Sequence, residues 1–131
     1  MTGPITLELF VSSSAVDTDF TAKLVDVWPN GFAQNLTDGI LRARYRVSME
    51  RAELMKPGEI YKLTVDLGAT SNVFLAGHKL RLQITSSDFP RFDRNLNTGG
   101  SPETSTNHIT ANNMIFHDHD HPSALILPVV P

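Results

Sequence analysis

The sequence has no cysteine, which removes disulfides, thiolate zinc centres and a cysteine nucleophile together. It also lacks a basic excess: 11 Lys and Arg stand against 14 Asp and Glu, a net charge of −3. A surface that tracks a phosphate backbone, and so a nucleic acid partner, is not expected. No apolar run approaches the roughly 20 residues that cross a bilayer, and no charged stretch followed by an apolar run opens the chain. The only tryptophan is Trp28, and no row of aromatics suggests a platform for stacking sugar rings. A Gly-x-Ser-x-Gly elbow, which would present a hydrolase serine beside oxyanion-hole amides, is missing as well. These absences give the expectation of a soluble, cytoplasmic protein with no membrane partner, no cofactor and no catalytic group of its own.

Alternation is what the sequence does have. From Ile5 the apolar residues Leu7, Leu9 and Val11 fall on one side and Thr6, Glu8 and Phe10 on the other, the period of a half-buried strand. The same pattern places Tyr61, Leu63, Val65 and Leu67 inward in one segment and Leu80, Leu82 and Ile84 inward in another. Phe20 to Trp28 reads as a further strand ending at Pro29-Asn30-Gly31, where proline presets a turn and glycine permits positive φ. Phe32 to Leu36 and Ile40 to Arg46 are expected as two separate strands, the second with a solvated basic face of Arg42, Arg44 and Arg46. Arg51 to Met55 has room for one helical turn before Lys56-Pro57-Gly58 stops it. A polar loop runs from Asp88 to Asn107, and closing strands at His108 to Phe116 and Ser123 to Val130 flank His117-Asp118-His119-Asp120-His121-Pro122 as a hairpin connection. Eight or nine short strands without a long helix argue for one all-β domain, a sandwich or barrel, over residues 1–131.

Three clusters invite chemistry. The five residues His117 to His121 hold three of the five histidines, but in an extended strand the outer two would lie about 13 Å apart. Two of them with His108 would make a metal site; a structural turn is the preferred reading, and no metal is assigned. Asp17-Thr18-Asp19 offers two carboxylates where calcium needs six to eight oxygens, so turn capping is preferred there. Ser12-Ser13-Ser14 has no flanking glycines and reads as hydroxyls bonded to a strand end.

The wording of three segments goes beyond periodicity. ELFVSSSAVDTDFTAKLVDVWPNGFAQNLTDGILRARYR, TSNVFLAGHKLRLQITSSDFPRFDRNLNTG and IFHDHDHPSALILPVVP resemble the C-terminal non-catalytic domain of the X-Pro dipeptidyl-peptidase and cocaine-esterase-like (CocE/NonD) serine hydrolases. The resemblance implies a jelly-roll β-sandwich, galactose-binding-domain-like in shape, attached to an α/β-hydrolase catalytic domain that carries the Ser, Asp, His triad. It also implies that the sandwich's first strand could precede this sequence, leaving an open edge that invites a second copy and hence a homo-oligomer. Within the His-rich turn, His117, Asp118, His121, Pro122 and Ser123 match the family wording. The strongest match is Phe89-Pro90-Arg91-Phe92-Asp93-Arg94-Asn95-Leu96-Asn97-Thr98-Gly99. Its residues Phe89, Arg91, Phe92, Asp93, Arg94, Asn95 and Asn97 are candidates for contact with the catalytic domain. The competing reading is a self-contained loop in which Asp93 pairs with Arg91 or Arg94 and the asparagines satisfy backbone groups. A carbohydrate-binding sandwich is the alternative function.

Overall fold

The computed structural model describes residues 1–89, 91–101 and 106–130. The strands are β1 (Thr2–Ser13), β2 (Asp19–Val27), β3 (Ala33–Arg42), β4 (Tyr61–Ser71), β5 (Lys79–Thr85), β6 (Asn113–Phe116) and β7 (Ala124–Ile126), with a 3-10 turn at Ala43–Tyr45. They form two antiparallel sheets. In the first, β1 is bonded to β4 on one side and to β6 and β7 on the other. In the second, β2 lies between β3 and β5. The fold is all-β and built as a sandwich, as the alternation predicts.

The core follows from the period of two. Ile5, Leu7, Leu9 and Val11 of β1, Leu63, Val65 and Leu67 of β4, and Phe20, Ala22 and Leu24 of β2 are all at most 1% exposed and form one cluster. Each large side chain so buried is worth about 1.5–3 kcal/mol of apolar transfer. Met55 joins them from an extended segment, held by its backbone N–H to the Val16 carbonyl at 2.7 Å. No helical turn forms over Arg51 to Met55; burying one methionine fixes the backbone there instead.

Elsewhere the strands depart from expectation for reasons the structure makes plain. Phe32 to Leu36 and Ile40 to Arg46 are not two strands. One strand, β3, runs from Ala33 to Arg42, and a bulge sets Leu24 opposite Thr37 but Val25 opposite Asn35. The extra residue, Leu36, turns toward the core and breaks the alternation. Gly39, which looks like turn chemistry, lies in the strand because β3 passes so close to β4 that a Cβ there would overlap the Asp66 carbonyl oxygen. The Thr37 hydroxyl donates to the Leu67 carbonyl at the same crossing, so the sandwich is closed along its β3–β4 side.

The closing segments differ too. The strands at His108 to Phe116 and Ser123 to Val130 are shorter than expected, and β6 and β7 do not pair as a hairpin. Both pair with β1, Phe10 opposite Phe116 and Glu8 opposite Ala124. They form one line along β1, interrupted by an excursion of residues 117–123 opposite Leu9. Because β1 is bonded on both sides, it is not the open edge. Pro90 and residues 102–105 of the polar loop lie outside the described residues.

Candidate functional site

The link between β1 and β2 is polar and yet buried: Asp17 is 0% and Asp19 1% exposed. A carboxylate is removed from water at this depth only if its lone pairs are satisfied. Asp17 accepts from the Arg44 backbone N–H at 2.9 Å and from Arg44 Nε at 2.7 Å. Asp19 accepts from Arg42 Nε at 2.9 Å and Nη2 at 3.1 Å, a two-pronged pair in register with the β2–β3 ladder. These bonds to Asp19 push the Arg42 guanidinium further above its ordinary value, although partial desolvation opposes the shift. Neither aspartate takes the expected role of capping a turn; the carboxylates are held instead by the ion pairs with Arg42 and Arg44.

The same group holds the polar loop. The side-chain amide of Asn95 donates to Asp17 at 2.9 Å and to Asp19 at 2.8 Å, bridging the two carboxylates. Its oxygen accepts the Asn97 N–H at 2.9 Å. Asn97, at φ +65°, donates its amide to the Ile109 carbonyl at 3.0 Å. Arg44 Nη2 reaches the Gly100 carbonyl at 2.9 Å, and Arg42 Nη2 meets the Asp93 carboxylate at 3.4 Å. Arg91 pairs with Asp38 of β3, and Lys23 with Asp88 at 3.3 Å. Asp93 therefore takes Arg42, not Arg91 or Arg94, while the asparagines do satisfy backbone groups. Arg42, Arg44 and Arg46 make no solvated face: two are spent on buried carboxylates, and Arg46 lies over the Tyr61 ring at 4.4 Å and donates to the Ala43 carbonyl at 3.0 Å.

What the clamp leaves outside is a surface. Phe89 is 65% exposed, and Phe92 is half-buried with the Arg91 guanidinium 5.2 Å from its ring. Arg94 is exposed and borders a groove of about 850 Å³ whose other walls include Arg42, Arg44 and Asp93. A smaller apolar hollow of about 210 Å³ adjoins it, lined by Ile40, Tyr45, Met49 and Phe92. The arrangement can receive an apolar side chain beside a charged one. Among the described residues it brings together no nucleophile, base and oxyanion donors.

The other clusters are local. Asp118 Oδ1 accepts the backbone N–H groups of Asp120 at 3.0 Å and His121 at 2.8 Å, and lies 3.0 Å from His121 Nδ1. Desolvation pulls the Asp118 carboxyl upward, but the bonds from His121 and Asp120 outweigh it and hold the group below its ordinary value. The His121 ring packs against Phe116 and Phe10, with centroids at 5.3 and 5.8 Å. Among the described residues no three His, Asp or Glu side chains gather as a metal site. Ser13 and Ser14 accept the N–H groups of Ala15 and Asn112 at 3.1 and 2.8 Å. Trp28 is 40% exposed and meets Phe32 edge-on, at 81°.

Sequence reasoning missed the clamp, and its signal was present: Asp17/Asp19 and Arg42/Arg44 are opposite charges at the same two-residue spacing. It also missed the buried Asp26, 2.8 Å from His78 Nδ1, since their spacing matches no motif.

Comparison with known proteins agrees with the two-sheet fold. Residues 1–126 match the family described as the X-Pro dipeptidyl-peptidase C-terminal non-catalytic domain. The chain is 52% identical to the cocaine esterase of Rhodococcus sp. (strain MB1 Bresler), over 99% of this chain and 23% of the esterase. Among solved structures, an aminopeptidase from the marine sediment archaeon Thaumarchaeota archaeon superposes with a TM-score of 0.86 at 30% identity, over 95% of this chain and 22% of its own. An alpha-amino acid ester hydrolase has the same fold, with a TM-score of 0.85 at 24% identity, over 95% of this chain and 23% of its own. The chain thus spans less than a quarter of each of these relatives, and no helix among the described residues is long and apolar enough to cross a membrane. On its sequence and its sheets alike, the chain belongs to the family of X-Pro dipeptidyl-peptidase C-terminal non-catalytic domains.

Proposed function

We propose that this domain is the non-catalytic β-sandwich of a cytoplasmic CocE/NonD-type serine hydrolase that cleaves acyl esters or amides. It docks on the α/β-hydrolase catalytic domain of that enzyme and helps shape the substrate pocket. The observation that carries the docking is the clamp. Asn95, Arg42 and Arg44 hold the segment from Asp93 to Gly100, ion pairs tie Asp88 to Lys23 and Arg91 to Asp38, and Phe89 stands 65% exposed. A large aromatic whose neighbours are held by ion pairs has less entropy to lose when it is covered, which is how interface anchors gain affinity. Phe92 and Asp93 line the adjoining hollow, and Asn95 and Asn97 hold the loop from beneath. The carbohydrate-binding alternative finds no support in Trp28 and Phe32, whose edge-on contact offers no pair of parallel ring faces.

The test is Phe89→Asp in the full-length hydrolase. We expect lower thermal stability and a changed KM for a p-nitrophenyl ester, with the 131-residue chain itself inactive. An unchanged full-length enzyme, or turnover by the 131-residue chain that is lost on changing one of its serines, sinks the reading.

A further inference from the structure

Asn30-Gly31, in the turn between β2 and β3, is the only Asn-Gly pair in the chain. Both residues are exposed and lie outside the ladders. Trp28 and Phe32 hold the turn: the Trp28 N–H donates to the Phe32 carbonyl at 2.8 Å, and the Gly31 N–H donates to the Trp28 carbonyl at 2.9 Å. The side-chain oxygen of Asn30 accepts the Phe32 N–H at 3.0 Å. Gly31 stands at φ +89° with nothing within 4 Å of the place a Cβ would occupy.

This geometry favours reaction of the Asn30 side chain with its own backbone. Glycine follows, so no side chain shields the amide nitrogen that must attack. The Phe32 N–H already meets the oxygen on which negative charge would develop, as an oxyanion donor does. The bond that must open first, from Gly31 to Trp28, joins two exposed residues, and water replaces such a partner at small net cost.

We propose that Asn30 is a site of spontaneous, backbone-assisted deamidation. The Gly31 nitrogen, deprotonated by hydroxide, bonds to the side-chain carbonyl carbon of Asn30. The side-chain nitrogen takes a proton from water and departs as ammonia, which leaves a cyclic imide. Water then opens the ring at either carbonyl to give aspartate or isoaspartate, so that water is consumed and ammonia released overall. Either product puts an anion into surroundings without charged side chains: residues 28–34 and 69–78 contain no Asp, Glu, Lys or Arg, and the two segments touch where Trp28 meets His78. Isoaspartate also adds a carbon to the main chain inside the turn. The bonds between Trp28, Gly31 and Phe32 cannot then all be kept, and Trp28 leaves the His78 ring, now 5.4 Å from it. Asp38-Gly39 has the same kind of glycine neighbour and stays intact. It lies within β3, where Asp38 pairs with Arg91 and Gly39 passes close to the Asp66 carbonyl; the extended ladder does not allow the twist that ring closure needs.

Incubation of the folded 131-residue chain in mildly alkaline buffer, followed by peptide mapping, tests this. The Asn30 peptide should be the first to gain the mass difference between an amide and an acid, with isoaspartate among the products and a parallel change in Trp28 emission. Gly31→Ala should slow the conversion on the order of tenfold, because the methyl group crowds the attacking nitrogen. Conversion in urea but none in the folded chain would show that the turn protects Asn30, and overturns the proposal. Earlier conversion at another asparagine, or isoaspartate at position 38, overturns it as well.

Discussion

Asp17 and Asp19 set the terms at the scale of single residues. Each is buried with a guanidinium, and each also takes one hydrogen from the same amide of Asn95. Replacing Asn95 by Ala leaves two buried carboxylates each one donor short, at a cost of about 1–3 kcal/mol. Urea unfolding of the 131-residue chain measures it; a midpoint equal to that of the unsubstituted protein would show that the amide is dispensable. Arg91→Ala, which removes an exposed ion pair, should leave the same midpoint in place. The His-rich turn depends on acidity in the opposite way to a histidine switch. Because the folded Asp118 carboxyl lies below its ordinary value of 3.8, the turn's contribution is complete above that value and is lost as pH falls through the lower folded one. An NMR titration of the Asp118 carboxyl should have its midpoint below 3.8; a higher midpoint contradicts the hydrogen-bonded turn. At this scale the sequence was partly legible. That Asn95 and Asn97 would satisfy backbone groups could be read from residue type, because such side chains bond locally. That Asp93 would choose Arg42 could not, since its partner lies 51 residues away in the chain.

Among the elements, legibility depended on whether a strand kept a straight ladder. The inward row of β4 was plain in the alternation because one face meets core and the other does not. The row of β1 was equally plain from Ile5 onward, where its side chains alternate without interruption. In β3 the bulge at Leu36 shifted the pattern by one residue, and a period-two reading split the strand at Thr37-Asp38-Gly39. The pairing of β6 and β7 with β1 was invisible because nothing in either short segment encodes its partner. Two glycines separate the reasons for glycine in a strand-rich fold. Gly39→Ala should cost about 1–3 kcal/mol, because the β4 backbone must move to admit the methyl group. Gly31→Ala meets nothing within 4 Å and pays only for φ +89°, about 1 kcal/mol. Thermal denaturation of both variants checks the order, and a milder effect at Gly39 than at Gly31 would mean that the sheets are not in contact there.

For the molecule as a whole, the pairings of β1 decide how the fold is reached. Its neighbours are β4, some 60 residues on, and β6 and β7, more than 100 residues on. Large loops must close before the central strand gains any partner. Refolding should therefore take milliseconds to seconds, as in other domains dominated by distant pairings. Stopped-flow fluorescence from Trp28 at the β2–β3 turn measures it, and a microsecond phase carrying the full amplitude would rule out this order of events. The two-sheet body itself was expected from the number of short alternating segments. That it is closed along its β3–β4 side was not, because that depends on the approach of β3 to β4.

The bridge at Asn95 has one last implication, for storage and ageing. Hydrolysis of that single side-chain amide would put a third negative charge within 3 Å of Asp17 and Asp19. Such a molecule would release the loop from Asp93 to Gly100 while both sheets stayed intact. Old preparations should therefore lose the shape of this loop before they lose their fold.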